Sequence, residues 1–94
     1  MLAIFNNSFN LNGNGVRIYN GSDNKINFNF FEGNTEFGVK NIDPDIVNAT
    51  LNYWGSCDGP SGAGPGNGDN VSVNVTFEPW IGVCIENKSN ITCA

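Results

Sequence analysis

The stretch Asn52-Tyr53-Trp54-Gly55 is the third statement of a pattern already present at Asn7-Ser8-Phe9 and Asn29-Phe30-Phe31. Asn7, Asn29 and Asn52 stand 22 and 23 residues apart. Each is followed two residues later by a large aromatic, Phe9, Phe31 or Trp54, and preceded by three by Ile4, Ile26 or Ala49. Partner columns keep the phase: Asn12 recurs as Asn34, and Gly15-Val16-Arg17 as Gly38-Val39-Lys40 after one inserted residue. One amide and one aromatic held at a fixed period mark a stacked repeat, because such a unit buries its apolar face only against its neighbours. No Ala/Leu/Glu/Lys run suggests a helix, whereas Val16-Arg17-Ile18 alternates as a half-buried strand does. The expectation is an all-β β-solenoid of about three coils.

Within the coils, Arg17 points to solvent, and Ile26 and Phe28 of Ile26-Asn27-Phe28 face inward while Asn27 faces out. Asn12 to Gly15, Asn20 to Asn24 and Glu32 to Thr35 read as turns, since Gly and Asn tolerate positive φ and Asn, Asp and Ser bond their own backbone. Pro44 belongs at a corner. Residues 55–70, with six Gly and two Pro, read as a long irregular loop. Val71 to Phe77, apolar at odd positions, reads as the last strand, with Pro79-Trp80-Ile81 laid over the open end as a cap. The organisation is thus 1–81 for coils, loop and cap, and 82–94 for a polar tail.

Net charge is −5 with only four basic residues. Phosphate neutralisation needs clustered Lys and Arg, so a nucleic-acid partner is not expected. Apolar runs fall short of the roughly 20 residues that span a bilayer, and Met1-Leu2-Ala3-Ile4 enters a repeat without a basic region or cleavage site. Either a signal was removed or the chain belongs to a longer one.

The Ile-x-x-Asn-x-Phe phrase, the Gly-Val-x-Ile strand and the Asn-rich turns resemble the right-handed parallel β-helix repeats shared by pectin-lyase-like and NosD-like proteins. Asn52 to Gly55, Gly59-Pro60-Ser61-Gly62, Gly68-Asp69, Val71 to Val75 and Pro79-Trp80-Ile81 are similar to the C-terminal end of β-helix domains in secreted and cell-surface proteins of archaea and bacteria. The resemblance covers Ile4 to Ile81, with fewer coils than the family usually carries. It implies a right-handed parallel β-helix at a cell surface.

Identical amides one strand spacing apart can bond up the axis and satisfy bent backbone that no strand reaches. Asn7, Asn29 and Asn52 are therefore read as a buried ladder rather than a ligand groove, and Phe9, Phe31 and Trp54 as an internal aromatic stack. Trp80 stays open between a cap and a sugar-binding residue.

Asn-x-Ser/Thr occurs at Asn6, Asn20, Asn48, Asn70, Asn74, Asn87 and Asn90. Ten Ser and Thr in 94 residues, with eighteen Asn, give about two such triplets by chance. None of the ladder asparagines is an acceptor, and the acceptors fall on outward positions, so covalent N-glycans and an extracellular or cell-surface location are expected. Cys57, Cys84 and Cys93 agree with that compartment. Cys57 with Cys84 is preferred over Cys84 with Cys93, and either pairing leaves a thiol that could link chains.

No catalytic set is expected. The outer face offers Arg17, Tyr19 and Lys40 without a row of carboxylates, and no aromatic cluster is written for it. Asp43, Asp45, Asp58 and Asp69 sit in turns, and Gly66 to Asn70 falls short of a calcium repeat, so no metal and no cofactor are assigned. The expected function is a glycosylated extracellular structural module of a surface layer, adhesin-like protein or filament. Its exposed coil ends would join head to tail or continue a longer β-helix, and the initial Met1 tips the expectation toward assembly between chains. The alternative is the C-terminal piece of a carbohydrate-binding or polysaccharide-degrading β-helix.

Overall fold

The computed structural model describes residues 3–19 and 23–82. The predicted acceptors Asn20, Asn87 and Asn90, and Cys84 and Cys93 of the tail, lie outside the described residues. What is described is all-β, with ten short strands and no helix. A first pass of chain makes β1 (Ala3–Phe5), β2 (Ser8–Asn10) and β3 (Asn14–Ile18). The second makes β4 (Lys25–Asn27), β5 (Phe30–Glu32) and β6 (Phe37–Asn41). The third contributes β7 (Val47–Asn48), a bridge from Tyr53 to Phe30, then β8 (Pro60–Gly62) and β9 (Gly68–Val71), before β10 (Val75–Thr76).

Corresponding strands of successive passes pair in parallel. The first sheet runs β1-β4-β7-β10, the second β2-β5 extended by Tyr53, and the third β3-β6-β9-β8. Ile4 stands opposite Ile26, Phe9 opposite Phe31, and Val16 opposite Val39. The arrangement is compatible with a β-solenoid. A one-residue slip in any pair would turn every apolar side chain outward, and the core that fixes the register is Ile26, Phe31, Val39, Val47, Ala49, Trp54 and Val71, all essentially without exposed surface.

Two glycines let the aromatics reach the third sheet. A Cβ on Gly15 would sit 2.7 Å from the Gly38 carbonyl oxygen and 2.9 Å from the Phe31 ring, and one on Gly38 would sit 3.2 Å from the Trp54 ring. The sheet is thin at that column so that flat rings can lie against it.

The corner between the first and second sheets overturns one expectation. Asn6, Phe28 and Leu51 all take left-handed φ, at 59°, 59° and 62°, and bond in a column: Asn6 N–H donates to Phe28 O at 2.9 Å and Phe28 N–H to Leu51 O at 2.8 Å. That twist resets the strand alternation. Phe28, expected inside, is 51% exposed, and Asn27, expected outside, is buried.

The expected strand over Val71 to Phe77 is two strands meeting at a corner. Val71 ends β9, Asn74 turns the chain at φ 62°, and Val75 opens β10, which leaves Val73 69% exposed. The expected loop at 55–70 also carries structure, since it contains β8 and most of β9. Its glycines serve close packing: Gly68 N–H donates to Gly59 O at 2.8 Å, Asp69 N–H to Trp54 O at 2.7 Å, and Trp80 lies where a Gly59 Cβ would be.

Candidate functional site

Three polar columns run across the passes. In the first, Asn7 N–H donates to Asn29 Oδ1 at 2.9 Å and Asn29 N–H to Asn52 Oδ1 at 2.9 Å. Each side-chain amide then satisfies carbonyls that the bend strips of strand partners. Asn29 Nδ2 bonds Ile4 O and Asn27 O at 3.0 Å each, and Asn52 Nδ2 bonds Ile26 O and Ala49 O at 2.7 Å each. Asn29 and Asn52 have no exposed surface, whereas Asn7, with nothing described above it, is exposed.

The second column is Asn12, Asn34 and Asp69. Asn12 N–H donates to Asn34 Oδ1 at 3.0 Å, and Asn34 Nδ2 reaches Phe9 O at 2.7 Å. Asp69 Oδ2 then accepts from Asn34 Nδ2 at 2.6 Å while its Oδ1 accepts from Gly33 N–H at 3.0 Å. A carboxylate accepts without donating, so the column ends at Asp69. Reading Asp69 as an ordinary turn residue missed this rung, because the inserted β8 breaks the 22-residue spacing that made Asn12 and Asn34 visible.

A third set at the next corner was also missed. Asn41 N–H donates to Ser72 Oγ at 2.7 Å, and Asn41 Nδ2 to Asp45 O at 2.8 Å and Asn74 O at 2.9 Å. Asp43 N–H donates to Asn41 Oδ1 at 2.9 Å, which draws Asp43 into the interior.

Beside the first column the rings of Phe9, Phe31 and Trp54 stack, with centroids 5.2 and 4.8 Å apart and planes within 15°. Below Trp54 the third pass is covered. Ala49 N–H donates to Thr76 O at 2.8 Å and Ile81 N–H to Asn52 O at 2.9 Å, while Trp80 Nε1–H donates to Cys57 O at 3.1 Å beside Phe77. Above Phe9 the picture is opposite: among the described residues nothing pairs with the outer edges of β1, β2 and β3.

The outer face of the second sheet corrects the expectation that no aromatic cluster lies outside. Phe30, 46% exposed, and Tyr53 place their ring centroids 5.3 Å apart. Burial first, and then the Glu32 carboxylate, push the Tyr53 phenol up from its ordinary range. Arg17 lies over Tyr19 at 4.9 Å, and Lys40 over Phe37 at 5.2 Å.

Of the described acceptor asparagines, Asn6 and Asn74 are exposed in left-handed backbone. Asn48 is exposed, its Oδ1 accepting from Thr50 Oγ1–H at 2.9 Å. Asn70 is half-buried, its Nδ2 donating to Glu36 O at 2.9 Å and its Oδ1 accepting from the Ser61 hydroxyl. Cys57 is half-buried, and no disulfide partner for it lies among the described residues. No group of three metal-ligating side chains occurs among the described residues, and no helix among them is long and apolar enough to cross a membrane.

Comparison with known proteins finds no matching family model, no matching curated protein and no matching solved structure.

Proposed function

We propose that the chain is an end module of a right-handed parallel β-helix and works as a structural part of a glycosylated cell-surface protein or filament. It joins its neighbour through the first coil and has no catalytic role. The observation that carries this reading is the difference between the two ends. One is overlaid by β10, residues 77–81 and β8; the other offers three strand edges, the exposed amides of Asn7 and Asn12, and the half-buried ring of Phe9. Unpaired parallel edges recruit further strands, and a solenoid coil satisfies its backbone only through neighbours. The occupant is another β coil, either a preceding one of a longer polypeptide or that of a second copy.

The lower end keeps only the short outer edges of β10 and β8, with residues 77–81 laid over the core, so an upstream coil, or two open ends meeting, is favoured over an unlimited head-to-tail filament, which needs two open faces. Light scattering with electron microscopy on the 94-residue protein tests the reading. Association rising with concentration, and reduced by Ser8→Pro in the open edge, is expected. A monodisperse monomer at every concentration contradicts it.

A second reading rests on the Phe30 and Tyr53 pair with Glu32 beside it. Aromatic faces next to a hydrogen-bonding carboxylate suit a neutral polysaccharide, and a net charge of −5 disfavours an anionic one. Retardation in gels containing neutral glucans, lost in Phe30→Ala, would support it; unchanged mobility in every such gel would remove it.

A further inference from the structure

The side chains of Asn6, Phe28 and Leu51 leave the same corner from the same left-handed backbone, one strand spacing of about 4.8 Å apart. They therefore point the same way. Asn6 is exposed and opens the acceptor triplet Asn6-Asn7-Ser8, and the ring directly below it, Phe28, is 51% exposed. An aromatic residue at positive φ with half its surface in water is unfavourable on two counts.

At the third corner Asn74 is also exposed in left-handed backbone and opens Asn74-Val75-Thr76, but Ile46, which the Val47 N–H to Asn74 O bond at 3.0 Å sets beside it, is not left-handed, so the two side chains leave in different directions. The amide of Asn70 is already bonded on both atoms.

We propose that an N-linked sugar on Asn6 is part of the packed surface, its first sugar ring lying over the face of Phe28. The inference rests on the glycosylated-surface reading above. The donor is an oligosaccharide on a lipid diphosphate. Asn Nδ2 attacks the anomeric carbon, the C–N bond forms, the C–O bond to phosphate breaks, the lipid diphosphate leaves, and one amide proton passes to a base. The C–H-lined face of the sugar then covers apolar surface that the fold leaves wet.

The test is site-resolved mass spectrometry of protein made in an N-glycosylating cell, with melting temperatures for the native chain, Ser8→Ala, Phe28→Ser and the double variant. The same four made without glycosylation serve as the baseline. Ser8→Ala removes the acceptor triplet and leaves Asn6 in place. An occupied Asn6 is expected. Ser8→Ala should lower Tm by about 4 °C or more in the glycosylated set alone, with increased binding of an apolar dye, and Phe28→Ser should remove most of that difference. A glycan on Asn6 whose loss leaves Tm and dye binding unchanged overturns the proposal, as does an equal loss in the Phe28→Ser background. Sugars on other triplets but not on Asn6 overturn it while leaving the glycosylated reading standing; a wholly unmodified chain removes both.

Discussion

Asn29→Ala removes one side chain and leaves several backbone groups without their partners. Asn7 N–H loses Oδ1 at 2.9 Å, while Ile4 O and Asn27 O each lose Nδ2 at 3.0 Å. The first two belong to the first coil, where the bonds are only partly buried and water can replace them; Asn27 O is the one left in the interior. A buried unsatisfied group costs roughly 1–3 kcal/mol, and the truncation adds a small cavity, so a loss of about 2–4 kcal/mol is expected. Asn52→Ala should cost more. Its amide serves Ile26 O, Ala49 O and Asn29 N–H, all buried, and a loss near 5 kcal/mol is comparable with the whole stability of a small domain. Asn7→Ala loses one exposed bond to Phe5 O and should cost less than about 1 kcal/mol. Urea titration of the three variants should give costs in the order Asn52, Asn29, Asn7. Equal costs, or Asn7 costing as much as Asn29, would refute the ladder as the reason for the repeat.

Asn27→Ala, expected from alternation to be harmless, should cost about 1–2 kcal/mol by urea titration, since Asn27 Nδ2 donates to Thr50 O at 2.8 Å; a neutral result would return Asn27 to the surface. Gly15→Ala drives a methyl into the Gly38 carbonyl and the Phe31 ring and should cost roughly 1–3 kcal/mol, the range of overpacked cores, with altered aromatic circular dichroism; an unchanged melting curve would contradict the thin-sheet contact. The Asp58 carboxylate is held below its ordinary range by the Ser56 hydroxyl and then by the Asn67 N–H. A depressed acid contributes above its unfolded pKa of about 4 and loses that contribution as pH falls through the folded value. Protection of the Asn67 amide should therefore be level from neutral pH down to about 4 and fall below it, and Asp58→Asn should flatten the dependence.

Parallel strands were legible because the period acts on two chemistries at once. Asn7, Asn29 and Asn52 repeat in phase with Phe9, Phe31 and Trp54, and only parallel pairing stacks like on like. Legibility failed where backbone conformation, rather than side-chain order, decides the outcome. The left-handed twist at Phe28 reverses alternation within a few residues, and the corner at Asn74 splits a stretch whose odd positions are all apolar. Asp69 was hidden because β8 is inserted ahead of it, and the glycines of 55–70 read as an irregular loop when they serve close approach to Trp54 and Trp80. Phe30 and Tyr53 lie in adjacent passes, so their meeting on the outer face needed the register that pairs them.

The most direct measurement for the proposed end module is amide hydrogen exchange at Ser8 followed against protein concentration. Ser8 is in register with Phe30, whose N–H donates upward to Asn7 O at 2.9 Å, so the Ser8 N–H points out of the open edge. The account predicts a Ser8 amide that exchanges freely in dilute protein and becomes protected as chains associate, with Phe30 protected throughout. A Ser8 amide protected in the isolated monomer, or still exchanging freely once particles have formed, would contradict it.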